Sequence, residues 1–137
     1  MMKSILVLVL LVFTTASLQA RDTTLMMPIN SALNKGRAQG IIDSRISLQF
    51  GKRARQSRQG TYTANRKTNA FNKTDREACE WAFFSAVKSL QDRARQRGVR
   101  RVTGIISYYD KRPRSSSSTY ECHAGDVVAG VVLRGNI

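Results

Sequence analysis

Between Thr74 and Gly98 the chain reads TDREACEWAFFSAVKSLQDRARQRG, and within it Cys79, Phe83, Ala86, Leu90 and Ala94 recur at steps of four, three, four and four. That is the spacing of one face of a 3.6-residue helix, and it predicts a helix with a buried apolar stripe. Start and stop signals agree with it. Thr74 with Glu77 three residues later predicts a capping box, in which each side chain satisfies a backbone N–H of the first turn. Asp75, Glu77 and Glu80 sit at the positive end of the helix dipole and Arg93, Arg95 and Arg97 at the negative end, and Gly98 supplies a left-handed stop. Trp81, Phe84 and Val87 widen the apolar sector of the first half, which is expected to lie deeper than the second. Lys88, Gln91, Asp92, Arg95 and Gln96 form the expected solvent face.

Around this helix the period is two. Ile46, Leu48 and Phe50 alternate with Ser47 and Gln49 and predict a half-buried strand that ends at Gly51. A second strand over Thr61 to Ala64 is expected to pair back on it, which would make 51–60 a hairpin loop. After Gly98, Val99 to Asp110 predicts a strand with Val102, Gly104, Ile106 and Tyr108 on one face and Thr103, Ile105, Ser107 and Tyr109 on the other. KRPRSSSS, 111–118, is a polar connection, and Thr119 to Cys122 with Asp126 to Leu133 reads as one return strand with a bulge near Ala124 and Gly125. From Arg21 to Ile42 the pattern is weak: an extended stretch around Pro28, then a short helix from Ile29 and Leu33 that Gly36 or Gly40 would end. The fold class expected is α+β, one long helix packed on a small antiparallel sheet.

Residues 1–20, MMKSILVLVLLVFTTASLQA, have the lysine, apolar run and small residues of a secretory signal peptide. The expectation is cleavage after Ala20, leaving 21–137 as a single small domain in the periplasm or outside the cell, with no transmembrane segment. The two cysteines, Cys79 and Cys122, then read as one disulfide closing a loop of about 43 residues.

Charge changes the picture most. The chain carries a formal +14, and the leader holds only Lys3 of it, so residues 21–137 carry +13. Arginine outnumbers lysine 16 to 7, which favours forked contacts to phosphate or carboxylate. The candidate anion-binding residues fall in three groups: Lys52, Arg53, Arg55 and Arg58 in the basic loop 51–60, Arg97, Arg100 and Arg101 after the helix, and Arg112 and Arg114 in the later connection. Such a field draws in polyanions. For an exported protein these are lipid phosphate, acidic polysaccharide and nucleic acid.

Chemistry of the chain's own is poorly supplied. His123 is the only histidine and follows Cys122 directly, so in a strand the two side chains point to opposite faces and form no dyad. A zinc site would lack third and fourth ligands. Asp75, Glu77 and Glu80 are explained by the helix start. The expectation is therefore no enzyme, no cofactor and no metal. A non-enzymatic envelope-associated accessory or sensing domain leads, with a secreted cationic nucleic-acid-binding protein as the alternative and a small hydrolase third.

GVRRVTGIISYY and ECHAGDVVAGVVLRG resemble a group of small bacterial domains that includes the YbjQ-like domain and the exported envelope-stress sensor RcsF. KTNAFNKTDREACEWAFFSAVKSLQDRA, 67–94, with YEC at 120–122, looks like a set of small exported proteobacterial proteins often carried under the name of an excision-repair ATPase, the ABC excinuclease. The resemblance implies the α+β fold and an envelope role. This chain lacks the sensor's lipid-attachment cysteine, and one cysteine pair does not reproduce its two disulfides. No ATPase is implied either: the single Gly51-Lys52 pair has Ile46 where a phosphate loop needs its first glycine and Arg53 where it needs a hydroxyl.

Overall fold

The computed structural model describes residues 21–51 and 60–137. Its elements in order are β1 (Thr23–Pro28), α1 (Ile29–Ala38), β2 (Ser47–Phe50), β3 (Thr61–Asn69), α2 (Asp75–Gln96), β4 (Arg101–Ser107), a single 3-10 turn (Tyr109–Lys111), β5 (Thr119–Ala124) and β6 (Val128–Asn136). The fold is α+β, with the short helix expected from Ile29 present as α1 beside the long α2, but the six-stranded sheet is mixed and not antiparallel, because β2 runs parallel to β4.

The sheet forks along β6. One edge of β6 pairs with β3 over its whole length, from Val128↔Asn69 to Asn136↔Thr61. The other edge is shared, β5 taking Ala129 and Gly130 and β4 taking Leu133 to Asn136. Ser107 closes the gap between them, its hydroxyl accepting the Glu121 N–H at 3.0 Å. β1, β2 and β3, each paired on one side only, form the outer edges. The expected hairpin between the strands flanking 51–60 does not form. β3 and β2 both run in the direction of β4 and are separated from each other by β4 and β6. Likewise the expected bulge at Ala124-Gly125 is a reversal: β5 and β6 are two antiparallel strands, tied by Gly125 N–H to Val128 O at 2.8 Å. Cys122 therefore lies on the penultimate strand and not the last.

Alternation along β4 also slips. Val102, Ile105 and Ser107 are the buried positions, where strict period two would have put Ile105 and Val102 on opposite faces. Gly104 adopts a positive φ of 58°, and the pairing register shifts between Thr103 and Ile106, so one residue is bulged out and the face changes.

α2 covers the sheet with the expected face. Cys79, Phe83, Ala86, Leu90 and Ala94 are all 0% exposed. Thr74 caps it, accepting the Glu77 N–H at 3.1 Å, and no return bond from the Glu77 carboxylate is made among the described residues, so half the capping box forms. Phe83 packs between Phe50 and Tyr120, its ring 4.0 Å from Tyr120 and nearly parallel to it. Two residues contradict the expected helix surface. Gln91 is fully buried, not solvent-facing, and Trp81 is 40% exposed, not core. The reason is α1. It crosses near the first half of α2 at Gly36, where a Cβ would come within 2.5 Å of the Ile42 side chain and 3.2 Å of Phe84, so glycine leaves room for both to pack there. The loop after α1 then returns over Gln91, which satisfies it: Asp43 N–H donates to Gln91 Oε1 at 2.9 Å, and Gln91 Nε2 donates to Asp43 O at 2.9 Å and Ile46 O at 3.2 Å.

The disulfide forms between Cys79 and Cys122, with Cα atoms 5.8 Å apart at a sequence separation of 43. Among the described residues no helix is long and apolar enough to cross a membrane.

Candidate functional site

The close of α2 and the start of β4 gather the chain's densest group of described arginines. A shallow depression of about 420 Å³ there is lined by Asp43, Arg45, Ile46, Arg95, Gly98, Val99 and Arg100. Its one carboxylate is already engaged. Asp43 accepts from Arg45 Nε and Nη2, each at 3.1 Å, from the Arg45 backbone N–H at 2.9 Å and from Arg95 Nη2 at 3.1 Å. Asp92 in turn accepts from Lys88 and Arg95. Arg93 lies over the Tyr62 ring at 5.4 Å and donates to Gln96. Arg97, Arg100 and Arg101 are exposed, and no carboxylate pairs with them among the described residues. The end of α2 therefore presents uncompensated positive charge.

Arg112 and Arg114 are not part of this group. Arg114 pairs through its backbone with Ser107 at the far end of β4, which over six residues is about 20 Å from Arg101. Its guanidinium is structural: Nη2 donates to Thr119 Oγ1 at 3.2 Å, and Nη1 is buried without a partner. Arg112 is exposed beside it. Lys52, Arg53, Arg55 and Arg58 lie outside the described residues. The points from which that segment leaves and returns are described. Gly51 N–H donates to Ile105 O at 3.0 Å and Gly51 O accepts from Ser115 at 2.8 Å, whereas Gly60 O accepts from Ile137 N–H at 3.1 Å, next to the Thr61–Asn136 and Thr103–Asn136 pairs.

Interactions of the Asp43 carboxyl carry a pH dependence. The Arg45 side chain first, then the Arg45 backbone N–H and Arg95, hold it well below the usual carboxylate range. A carboxyl depressed in the folded state adds stability that is present above its unfolded value, about 3.9, and is lost as the pH falls through the folded value. Replacement Asp43→Asn is expected to lower stability at neutral pH and to flatten the loss of stability between about pH 4 and pH 2. Denaturant unfolding followed by circular dichroism across that range checks it; an unchanged acid slope would show that these pairs contribute nothing.

His123 points away from Cys122, onto the open face of the sheet. Its Nδ1 lies 3.0 Å from Asp22 and its Nε2 2.7 Å from Glu121, and its ring stacks on Tyr109 with centroids 3.7 Å apart. Both ring nitrogens are thus taken up by carboxylates. The Tyr109 hydroxyl is raised by burial, with Asp22, Asp110 and Glu121 adding to it. Chemically this group is a strut that holds the start of β1 to β5. Among the described residues no cluster of three His, Cys, Asp or Glu side chains is placed to hold a metal ion.

Set against protein-family models, curated proteins and solved structures, the chain matches none. What it does must therefore be argued from its own geometry. The missed element is the clearest guide to what sequence could have offered: an arginine-rich helix end is visible as a charge run, but the engagement of Arg45 and Arg95 by Asp43 depends on a loop with no periodic signal.

Proposed function

We propose that this protein is an exported, non-enzymatic, envelope-associated accessory or sensing domain. It holds an anionic partner, lipid phosphate or acidic polysaccharide, through the arginines at the end of α2. The observation that carries the reading is local. Asp43 and Asp92 neutralise Arg45, Arg95 and Lys88, while Arg97, Arg100 and Arg101 are left exposed and without carboxylate partners among the described residues. Guanidinium groups so placed form bidentate bonds to phosphate or carboxylate oxygens. The disulfide is compatible with an oxidising compartment outside the cytoplasm.

Binding to lipopolysaccharide, polygalacturonate and single-stranded DNA, each at about 20 mM and about 150 mM salt, tests the proposal, since the screening length falls to about 8 Å at the higher value. The expected result is binding to lipopolysaccharide or polygalacturonate that survives the higher salt. The triple replacement Arg97→Ser, Arg100→Ser and Arg101→Ser should weaken it at least tenfold, with the far-ultraviolet spectrum unchanged. Unaltered affinity in that variant would remove the site, and salt-resistant binding to DNA alone would replace the envelope reading with a nucleic-acid one.

A further inference from the structure

Toward the opposite end of α2, whose 22 residues span about 33 Å, lies a cleft of different character. It measures about 400 Å³ and is walled by Lys35 and Gln39 of α1 and its following residue, and by Arg76, Glu77, Glu80, Trp81 and Phe84 of α2. We infer that this cleft is a binding site for a neutral saccharide, with the indole of Trp81 as the stacking platform.

The aromatic part comes first. Trp81 is the only tryptophan of the chain, and at 40% exposure it stands out of a helix whose neighbouring Ala82, Phe83 and Phe84 are 2% exposed or less. Its tilt is set by an edge-to-face contact with Phe84, centroids 5.6 Å apart at 81°, and Phe84 is itself held by the α1 crossing at Gly36. A rigid, half-exposed ring offers an apolar face to the C–H side of a pyranose at little entropic cost.

The polar part has the required geometry and availability. Lys35 and Glu80 pair at 2.7 Å and form a fixed support between the two helices. Gln39, Arg76 and Glu77 have no side-chain hydrogen bond to any group among the described residues, and all three are exposed beside the indole. An amide, a guanidinium and a carboxylate are planar groups that bond paired vicinal hydroxyls, as donor and acceptor, in the manner that fixes ligand orientation in small-molecule sites. Behind them Tyr120, 1% exposed, keeps a hydroxyl with no hydrogen-bond partner, and burial with the nearby Glu80 raises it above the ordinary tyrosine range. A buried donor left unsatisfied is a cost of folding, and it lies within electrostatic reach of two of the cleft's walls.

Charge selects the ligand class. Lys35 and Arg76 oppose Glu77 and Glu80, so the cleft is balanced on a chain whose formal charge is +14. A balanced rim gives phosphate and uronate no net attraction here, in contrast to the arginine end. The inference is therefore independent of the anionic partner proposed above.

Because Trp81 is the sole tryptophan, its emission reports this site alone. Titration of the purified protein with the tetramer of N-acetylglucosamine, with cellotetraose and with maltotetraose, in about 0.5 M salt to screen the arginine end, should give a saturable change in emission. At least one of the three should show a dissociation constant on the order of 1 mM or tighter. By calorimetry the same glycan should lose detectable binding to Trp81→Ala, keep a weakened form with Trp81→Phe, and bind at least fivefold more weakly to Gln39→Ala and to Arg76→Ala. All the replaced positions are exposed, and matching circular dichroism confirms folding. No change in emission up to about 10 mM of all three glycans, or undiminished binding to Trp81→Ala, would overturn the inference. So would emission that responds to polygalacturonate and to none of the neutral tetramers.

Discussion

Refolded in reductant, with Cys79 and Cys122 as thiols, the protein is expected to melt about 15 °C below its oxidised form, which for a domain of this size corresponds to a loss on the order of 4 kcal/mol. The chain-entropy argument sets the size: the bond closes a loop with a sequence separation of 43 residues, and the unfolded chain gains that much freedom when it is cut. The consequence is also local. The bond joins the first turns of α2 to β5, the strand that shares an edge of β6 with β4, so cutting it loosens the fork of the sheet where the helix lies on it. Both cysteines are 0% exposed, so thiol reagents should act slowly on the native protein and quickly once denaturant opens it. Comparing the reduced protein with Cys79→Ala/Cys122→Ala separates the crosslink from the packing of the sulfur atoms. A midpoint within about 2 °C of the oxidised value would show that the bond constrains nothing the fold does not already hold. Free thiols in protein recovered from an oxidising compartment would remove the premise.

The parts of the fold legible in the sequence are those whose signals are local and repeated. The helix stripe from Cys79 to Ala94, the threonine cap and the cysteine pair each follow from a few neighbouring residues, and each is present. Strand direction is not local. Thr61 follows a polar, glycine-bounded segment in the way a hairpin's return strand does, yet β3 belongs beside β6 because nine consecutive pairs there outweigh any pairing available to the four-residue β2. Nor does periodicity carry the Gly104 bulge, since a glycine in a strand reads equally as a tolerated defect until its positive φ is known.

Similar limits govern the sites. The arginine run after Leu90 is plain in the sequence, but which of its members remain free is decided by Asp43, placed by a loop between α1 and β2. Trp81 lies within the apolar sector of α2 and so reads as core. It is exposed because the sheet takes the face of Cys79 and Phe83, and α1 covers Phe84 but stops short of the indole. Arg112 and Arg114 show the converse: a basic motif in sequence that the fold turns inward at Arg114 to brace the serine-rich connection.

Replacing Gln91 tests the link between that loop and the arginine end. Leucine at 91 keeps the side-chain volume but leaves the Asp43 N–H and the Asp43 and Ile46 carbonyls without the amide that serves all three. Each unsatisfied buried group costs about 1–3 kcal/mol, and the partial exposure of Asp43 lets water relieve some of it, so the expected loss is about 3 kcal/mol, or roughly 10 °C in the thermal midpoint. Glutamate at 91 sharpens the test. Its carboxylate can accept the Asp43 N–H, but it meets two carbonyl oxygens with no proton to offer, beside the Asp43 carboxylate. Its folded pKa is therefore raised, and stability of that variant should fall as the pH rises above about 4.3, the reverse of the Asp43 contribution. At neutral pH Gln91→Glu should be less stable than Gln91→Leu, and in mild acid the order should narrow or invert, because the protonated acid donates to one carbonyl. Denaturant unfolding at the two pH values reads this directly. A Gln91→Leu protein as stable as the parent would mean that the Asp43–Arg95 pair, and not the buried amide, fastens the loop to α2. The arginine end would then owe its shape to surface charge alone.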